Sequence, residues 1–347
     1  MSGRFRPPMS GRFNWDQDAL GMLWHWMTER QQAFYRRTVL HQPPPWSADT
    51  VVACNHFTNV YRELDPGTAW VVNNVLEQAE LPEADRAFLV FAYRLFGTEG
   101  VFERLGVHTA GASGGQHDML PGSFNAKWLA SELQLLMDQG VQAFTPAYMV
   151  SNYGRKQPKS VVIADVLGKA AKGWGDVWAR VAYSGNRQGA FRELTQVFGM
   201  GRFVAFQTLV DLCYPLRCKS GKRGLLPWSN DSWVTAGPGA LRGLQLLLPG
   251  ARQADDDAAI AELVRMQGEP LQRLGFPWLL GARNKPVPVN RSNMQNCLCE
   301  LSKYAKLRAG AGGGRRRTFD PQRSYLRGDE AQHLPGNFAV QVDAFNT

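Results

Sequence analysis

The 347-residue chain lacks several things that would settle its class at once. It has no uninterrupted apolar run of roughly 18 residues, so no segment reads as a membrane-spanning helix. The basic N-terminus, MSGRFRPPMSGRF, has no apolar core of the secretory type. Cysteine is scarce: Cys54, Cys213, Cys218, Cys297 and Cys299 are odd in number and scattered, which fits a reducing cytoplasm rather than a disulfide scaffold. The glycine-rich stretch 111–121 (GASGGQHDMLP) follows no apolar strand and has no Gly-Lys-Ser/Thr ending, and no other segment supplies a P-loop. His-Glu-x-x-His and Gly-x-Ser-x-Gly are both absent. The Cys-x-Cys pair at 297 and 299 has no second pair or neighbouring histidine, so no metal site is indicated. Strand-like alternation is rare.

What remains is helical periodicity and positive charge. Leu20, Leu23, Trp24, Met27 and Phe34 recur at helical spacing over 15–40, and His41-Gln-Pro-Pro-Pro-Trp46 stops that helix. Ser47 or Asp49 caps a following helix predicted over 49–65, which sets Asn59, Arg62 and Asp65 close together. Further helices are expected over 70–78, 84–96, 100–106, 124–139, 169–182, 188–197, 254–266 and 292–307. Segments 141–150 and 161–167 fit either a strand or a buried helix. Gly237-Pro238-Gly239 opens another helix, and residues 275–290 form a connector. The expected fold is all-α, with a basic arm at 1–14, one helical body over 15–308 and a basic glycine-rich segment at 309–347.

The net charge is +9 and it is clustered. Arg217, Lys219, Lys222 and Arg223 share a segment without an acid, and Arg315, Arg316 and Arg317 follow a glycine run. Such loops suit phosphate contacts, although a solvated tail explains the second cluster equally well. In LTQVFGMGRFVAFQTLVDL (194–212) a helix ends, the chain turns through Phe198-Gly199-Met200-Gly201, and a second helix begins at Arg202. Glycines at 199 and 201 permit a tight hairpin, with backbone amides at a helix N-terminus that suit a phosphate oxygen.

Leu194, Val197, Gly199, Gly201 and Ala205 lie at positions similar to the helix-hairpin-helix of DNA glycosylases. Four segments together resemble a more particular family: residues 43–68, the hairpin with Asp211, TAGPGALRGL (235–244), and MQNCLCELSKYAKLRAGAGGGRRRTF (294–319). They are similar to the phage α-glutamyl/putrescinyl thymine pyrophosphorylases, which share a helical fold with 5-hydroxymethyluracil DNA kinases. The resemblance implies a helix-hairpin-helix, DNA-glycosylase-like helical fold in a phage protein of the host cytoplasm. It further implies transfer of an amine, from an amino acid or a polyamine, onto 5-(pyro)phosphoryloxymethyluracil in DNA, with departure of the (pyro)phosphate.

On that reading Gly199, Gly201, Arg202, Lys219, Lys222, Arg223 and Arg315–Arg317 hold the DNA backbone, and the target base is extruded. Arg62 and Lys303 stabilise the leaving group, with Asn59 and Asp65 beside them, and Asp231 or Glu300 takes the proton of the amine. Cys299 is a candidate thiolate toward the ring. Magnesium accompanies pyrophosphate in much chemistry, but no carboxylate cluster here demands it. Two other readings use the same features: a DNA glycosylase, and a DNA-binding protein without catalysis.

Overall fold

The computed structural model describes residues 13–107, 118–145, 150–219, 223–281 and 285–311. The terminal arm up to residue 12, most of the glycine-rich stretch 111–121, Lys222, Arg315, Arg316 and Arg317 lie outside the described residues. The fold is all-α. Among the described residues there is no strand, only an isolated antiparallel bridge between Leu280 and Pro286.

The chain forms two compact units. The first contains the described residues up to Arg62 and those from Val234 onward; the second runs from Glu63 to Trp233. In the first unit, α1 (Gln17–Phe34) starts where Asp16 accepts the Ala19 amide, and it buries Leu20, Leu23, Trp24, Trp26 and Met27. It continues as a π-turn, Tyr35–Val39. The proline loop that follows is folded onto it, with Arg36 Nη1 donating to the Trp46 carbonyl at 2.7 Å and Trp46 Nε1 to the Gln42 carbonyl at 2.6 Å.

Asp49 caps α2 (Thr50–Cys54) by accepting the amides of Val51 and Val52. Here the structure departs from expectation, because the helix does not reach residue 65. Asn55 is extended, and residues 55–61 continue without helix to a single 3-10 turn at Arg62–Leu64.

The remaining helices of this unit are α11 (Pro238–Leu247), α12 (Asp256–Met266), α13 (Gly268–Arg273) and α14 (Arg291–Arg308). Asn290 caps α14. The start of α14 is fixed by Gln267, whose side chain both donates to and accepts from the Val289 backbone at 3.0 Å. Pro238 occupies the first turn of α11 as expected. A Cβ on Gly243 would strike the Leu298 carbonyl, and one on Gly239 the Cys299 sulfur. TAGPGALRGL therefore lets α11 and α14 approach more closely than side chains would allow.

The second unit contains α3 (Pro66–Val71, extended by a π-turn at Val72–Leu76), α4 (Glu83–Phe96), α5 (Glu99–Arg104), α6 (Ala126–Asp138), α7 (Lys159–Ala171), α8 (Trp174–Ala182), α9 (Arg187–Thr195) and α10 (Arg202–Leu212). Segment 161–167 is thus helix, inside α7. The helix expected over 169–182 is broken, because Gly173 adopts φ 81° between α7 and α8. Helix α4 is buried almost all round, with Phe88 and Phe91 packed on Trp174.

The hairpin between α9 and α10 has the anticipated bounds, and Met200 is buried in it. Only one of its glycines is structurally required. Gly199 has φ +86° and lies where a Cβ would strike Val166, whereas Gly201 has ordinary extended backbone and open space around it.

Candidate active site

The non-helical segment from His56 to Arg62 is held against α14 by side chains of that helix. Lys303 Nζ donates to the His56 carbonyl, Asn296 Nδ2 to Thr58 Oγ1 at 2.8 Å, and the Arg62 amide to Asn293 Oδ1 at 3.1 Å. Cys297 Sγ lies 3.8 Å from the Val60 carbonyl. Residue numbers rise along the segment as they fall along the helix, so the two run antiparallel. Ten helical residues advance about 15 Å, whereas six residues in a helix would advance only about 9 Å, so a helical strap would fall short of these partners.

Helix α1 grips the strap as well. Arg30 donates through Nε to the Phe57 carbonyl at 3.2 Å and through Nη2 to Asn59 Oδ1 at 2.5 Å. The Phe57 ring meets Trp26 edge-on at 5.8 Å and Tyr304 at 6.3 Å. The strap's polar backbone thus finds partners outside any helix, which is why this stretch need not be helical.

Arg62 ends the strap. It is 4% exposed, and its Nη1 has no hydrogen-bond partner among the described residues. A buried guanidinium nitrogen in that condition is costly and suits an incoming anion. Asn59 is buried beside it in sequence. Lys303 has its ammonium 4.3 Å from the Phe57 ring centroid and 3.7 Å from Glu300 Oε2. Carbonyl, carboxylate and ring face all favour a positive charge, so Lys303 is arranged as a fixed cation rather than as a base. Asn293, Asn296 and Lys303 all reach the strap from α14.

A polar cluster that the sequence did not reveal adjoins this arrangement. Asp49 Oδ2 accepts from the Tyr304 hydroxyl at 2.6 Å and lies 3.1 Å from His25 Nε2. Burial pushes the Asp49 carboxyl up, but the bonds from Tyr304, Val52, His25 and Val51 outweigh it and hold the group below its ordinary value. Burial, and then the Asp49 contact, push the Tyr304 phenol above its usual range. Only the capping role of Asp49 was legible, since 255 residues separate it from Tyr304.

Asp65 precedes α3 as its N-cap residue and belongs to the second unit, as does the exposed Asp231, whose amide bonds Ser229 Oγ. Asp211 is fully buried and paired with Arg94, at 2.5 Å and 2.9 Å, which ties α10 to α4 and gives it a structural role. Cys299 is half-buried and packs on Gly239.

The basic loop after the hairpin also needs correction, for acids reach it from distant sequence. Lys219 pairs with Glu83, and the amides of Arg217 and Cys218 donate to the Glu77 carboxylate at 2.8 and 2.9 Å. That amide pair has the form of an anion nest, filled by Glu77. Arg223 is exposed, as is Arg202, whose guanidinium lies 5.2 Å from the Phe191 ring centroid. Among the described residues no group of three or more His, Cys, Asp or Glu side chains is placed to hold a metal, and no helix is long and apolar enough to cross a membrane.

The comparisons give the family. The model of the 5-hmdU DNA kinase helical domain matches residues 17–313, and the chain belongs to that family. It is 24% identical over 322 residues to the 5-hmdU DNA kinase of Bacillus phage SP10, an alignment covering 86% of this chain and 46% of that protein. The chain therefore spans about half the length of this curated relative. No solved structure matches.

Proposed function

We propose that the protein acts on hypermodified thymine in phage DNA, as the transferase of the thymine pyrophosphorylase type. In that reaction an amine nitrogen bonds to the exocyclic methylene of 5-(pyro)phosphoryloxymethyluracil. The carbon–oxygen bond to the (pyro)phosphate breaks, and the amine loses a proton. The observation that carries the reading is the strap with its buried, incompletely bonded Arg62, set on the helix that supplies Lys303 and Glu300.

A departing phosphate gains negative charge as its bond breaks, and cations already in place stabilise that charge without reorganising. Arg62 takes this role, while Lys303 is held at the other end of the strap against the His56 carbonyl. Asn59 is held by Arg30 and orients the strap end. Glu300, within 3.7 Å of Lys303, accepts the amine proton. Asp231, Asp65 and Cys299 take no part in it. The surroundings of Glu300 do not fit a protein-held magnesium, since its near neighbour is a cation. The relative is named a kinase, and these 347 residues carry no P-loop.

The test is release of phosphate or pyrophosphate from DNA bearing the phosphorylated base. Amine-dependent release that is lost in Arg62→Gln supports the proposal. Release independent of both amine and Arg62 contradicts it.

A further inference from the structure

The hairpin turn presents a phenylalanine to solvent. Phe198 is 48% exposed at the end of a turn whose other apolar residues, Val197 and Met200, are buried. Its ring is not loose. Tyr153 stacks beside it, with centroids 6.3 Å apart and planes 28° from parallel, and the Tyr153 hydroxyl donates to the Gly199 carbonyl at 2.7 Å. Val166 of α7 supports the turn from beneath, in the space a Cβ on Gly199 would need. The ring is therefore presented rigidly, and little conformational entropy is lost when something covers it.

The surroundings are basic. Lys169 Nζ lies 5.0 Å from the Phe198 centroid, Arg202 is exposed on the helix that follows Phe198, and Lys156 is exposed shortly after Tyr153 in sequence. The neighbouring acid, Asp165, is engaged by Arg155 and, at 3.3 Å, by Lys169. The Arg155 bond first, and Lys169 after it, hold that carboxyl below its ordinary range, so it serves these cations as a counter-ion.

We propose that Phe198, Tyr153 and Lys169 form an aromatic and cationic platform that binds an unpaired nucleotide of DNA, the base stacking on Phe198 and the phosphate meeting the cations. A purely apolar partner would make no use of the cations that flank the ring. A closed duplex would satisfy those cations but offers no base face to the ring, because its bases are already stacked. Unpaired DNA supplies both. The inference rests on the reading of the protein as one that acts on DNA, and it adds where the strand lies next to an opened base.

The experiment is fluorescence anisotropy of the full chain with a short, unmodified, labelled single-stranded oligodeoxynucleotide and with its duplex. Wild type binds the single strand more tightly. Phe198→Ala weakens single-strand binding about tenfold while changing duplex binding less than about twofold, and Phe198→Trp restores it. Phe198→Leu keeps the packing and removes the π face, so it decides the matter if the alanine variant does not fold. Lys169→Gln lowers the salt dependence of binding by about one phosphate contact. Failure of wild type to bind the single strand, unchanged affinity in Phe198→Leu, or equal loss on strand and duplex would overturn the proposal. The oligonucleotide carries no modified base or leaving group, so these results are independent of whether amine transfer occurs.

Discussion

Asn293 accepts the backbone N–H of Arg62 through its side-chain oxygen at 3.1 Å, across 231 positions of sequence. Both residues are almost fully buried, so this bond sets where the strap ends and where the arginine enters the fold. Replacing Asn293 with alanine leaves that buried amide without its acceptor. The expected cost is about 1–3 kcal/mol of stability, measured by denaturant unfolding. Activity should fall as well, because the strap end loses its register. A variant as stable and as active as wild type would show that the bond does not position Arg62.

Arg62 itself should behave in the opposite way. Its Nη1 is buried without a partner, so Arg62→Gln removes an incompletely compensated charge and should leave stability unchanged or slightly raised. Turnover should drop about 10²–10³-fold, the usual effect of losing one preorganised group at a developing charge. A stability loss of several kcal/mol with turnover intact would assign Arg62 to structure alone.

Acid should weaken the junction around Asp49. The folded protein holds this carboxyl below its ordinary value of 3.8, so its contribution to stability is complete above that value and is lost as the pH falls through the lower folded one. Asn at this position still caps α2 but carries no charge to titrate. Thermal unfolding of wild type and Asp49→Asn should therefore differ most at neutral pH and converge in acid. A difference independent of pH would remove the charged Asp49 from the account.

The cysteines should divide by burial. Cys54 is exposed, whereas Cys213 and Cys297 are buried, and burial pushes the Cys213 thiol up to about 11. A thiol-reactive dye at mildly alkaline pH should label Cys54 quickly, and Cys213 and Cys297 only on unfolding. Fast labelling of Cys213 in the native protein, read by peptide mass mapping, would contradict the packing of α10.

Much of the helical fold was legible from local signals. Asp49, Gly237-Pro238 and the Gly199 turn act within a few residues of themselves, so the caps and hairpin bounds could be read from the sequence. The strap could not. Val52, Phe57, Val60 and Leu64 mimic helical spacing, and what keeps residues 55–61 out of a helix is a row of partners on α14 more than 200 positions away. The same holds for charge. Nothing local shows that Asp211 pairs with Arg94, and the 217–223 loop looked free of acids until the fold brought Glu77 and Glu83 to it.

The most direct measurement of the central claim is nucleoside mass spectrometry on DNA containing 5-(pyro)phosphoryloxymethyluracil, incubated with the protein and a pool of amino acids and polyamines. Wild type is expected to form a new nucleoside whose mass is that of thymidine plus one amine, less a hydrogen from each, and Arg62→Gln is not. Free base with an abasic site would instead make the protein a glycosylase, and unchanged nucleosides with every donor would contradict amine transfer altogether.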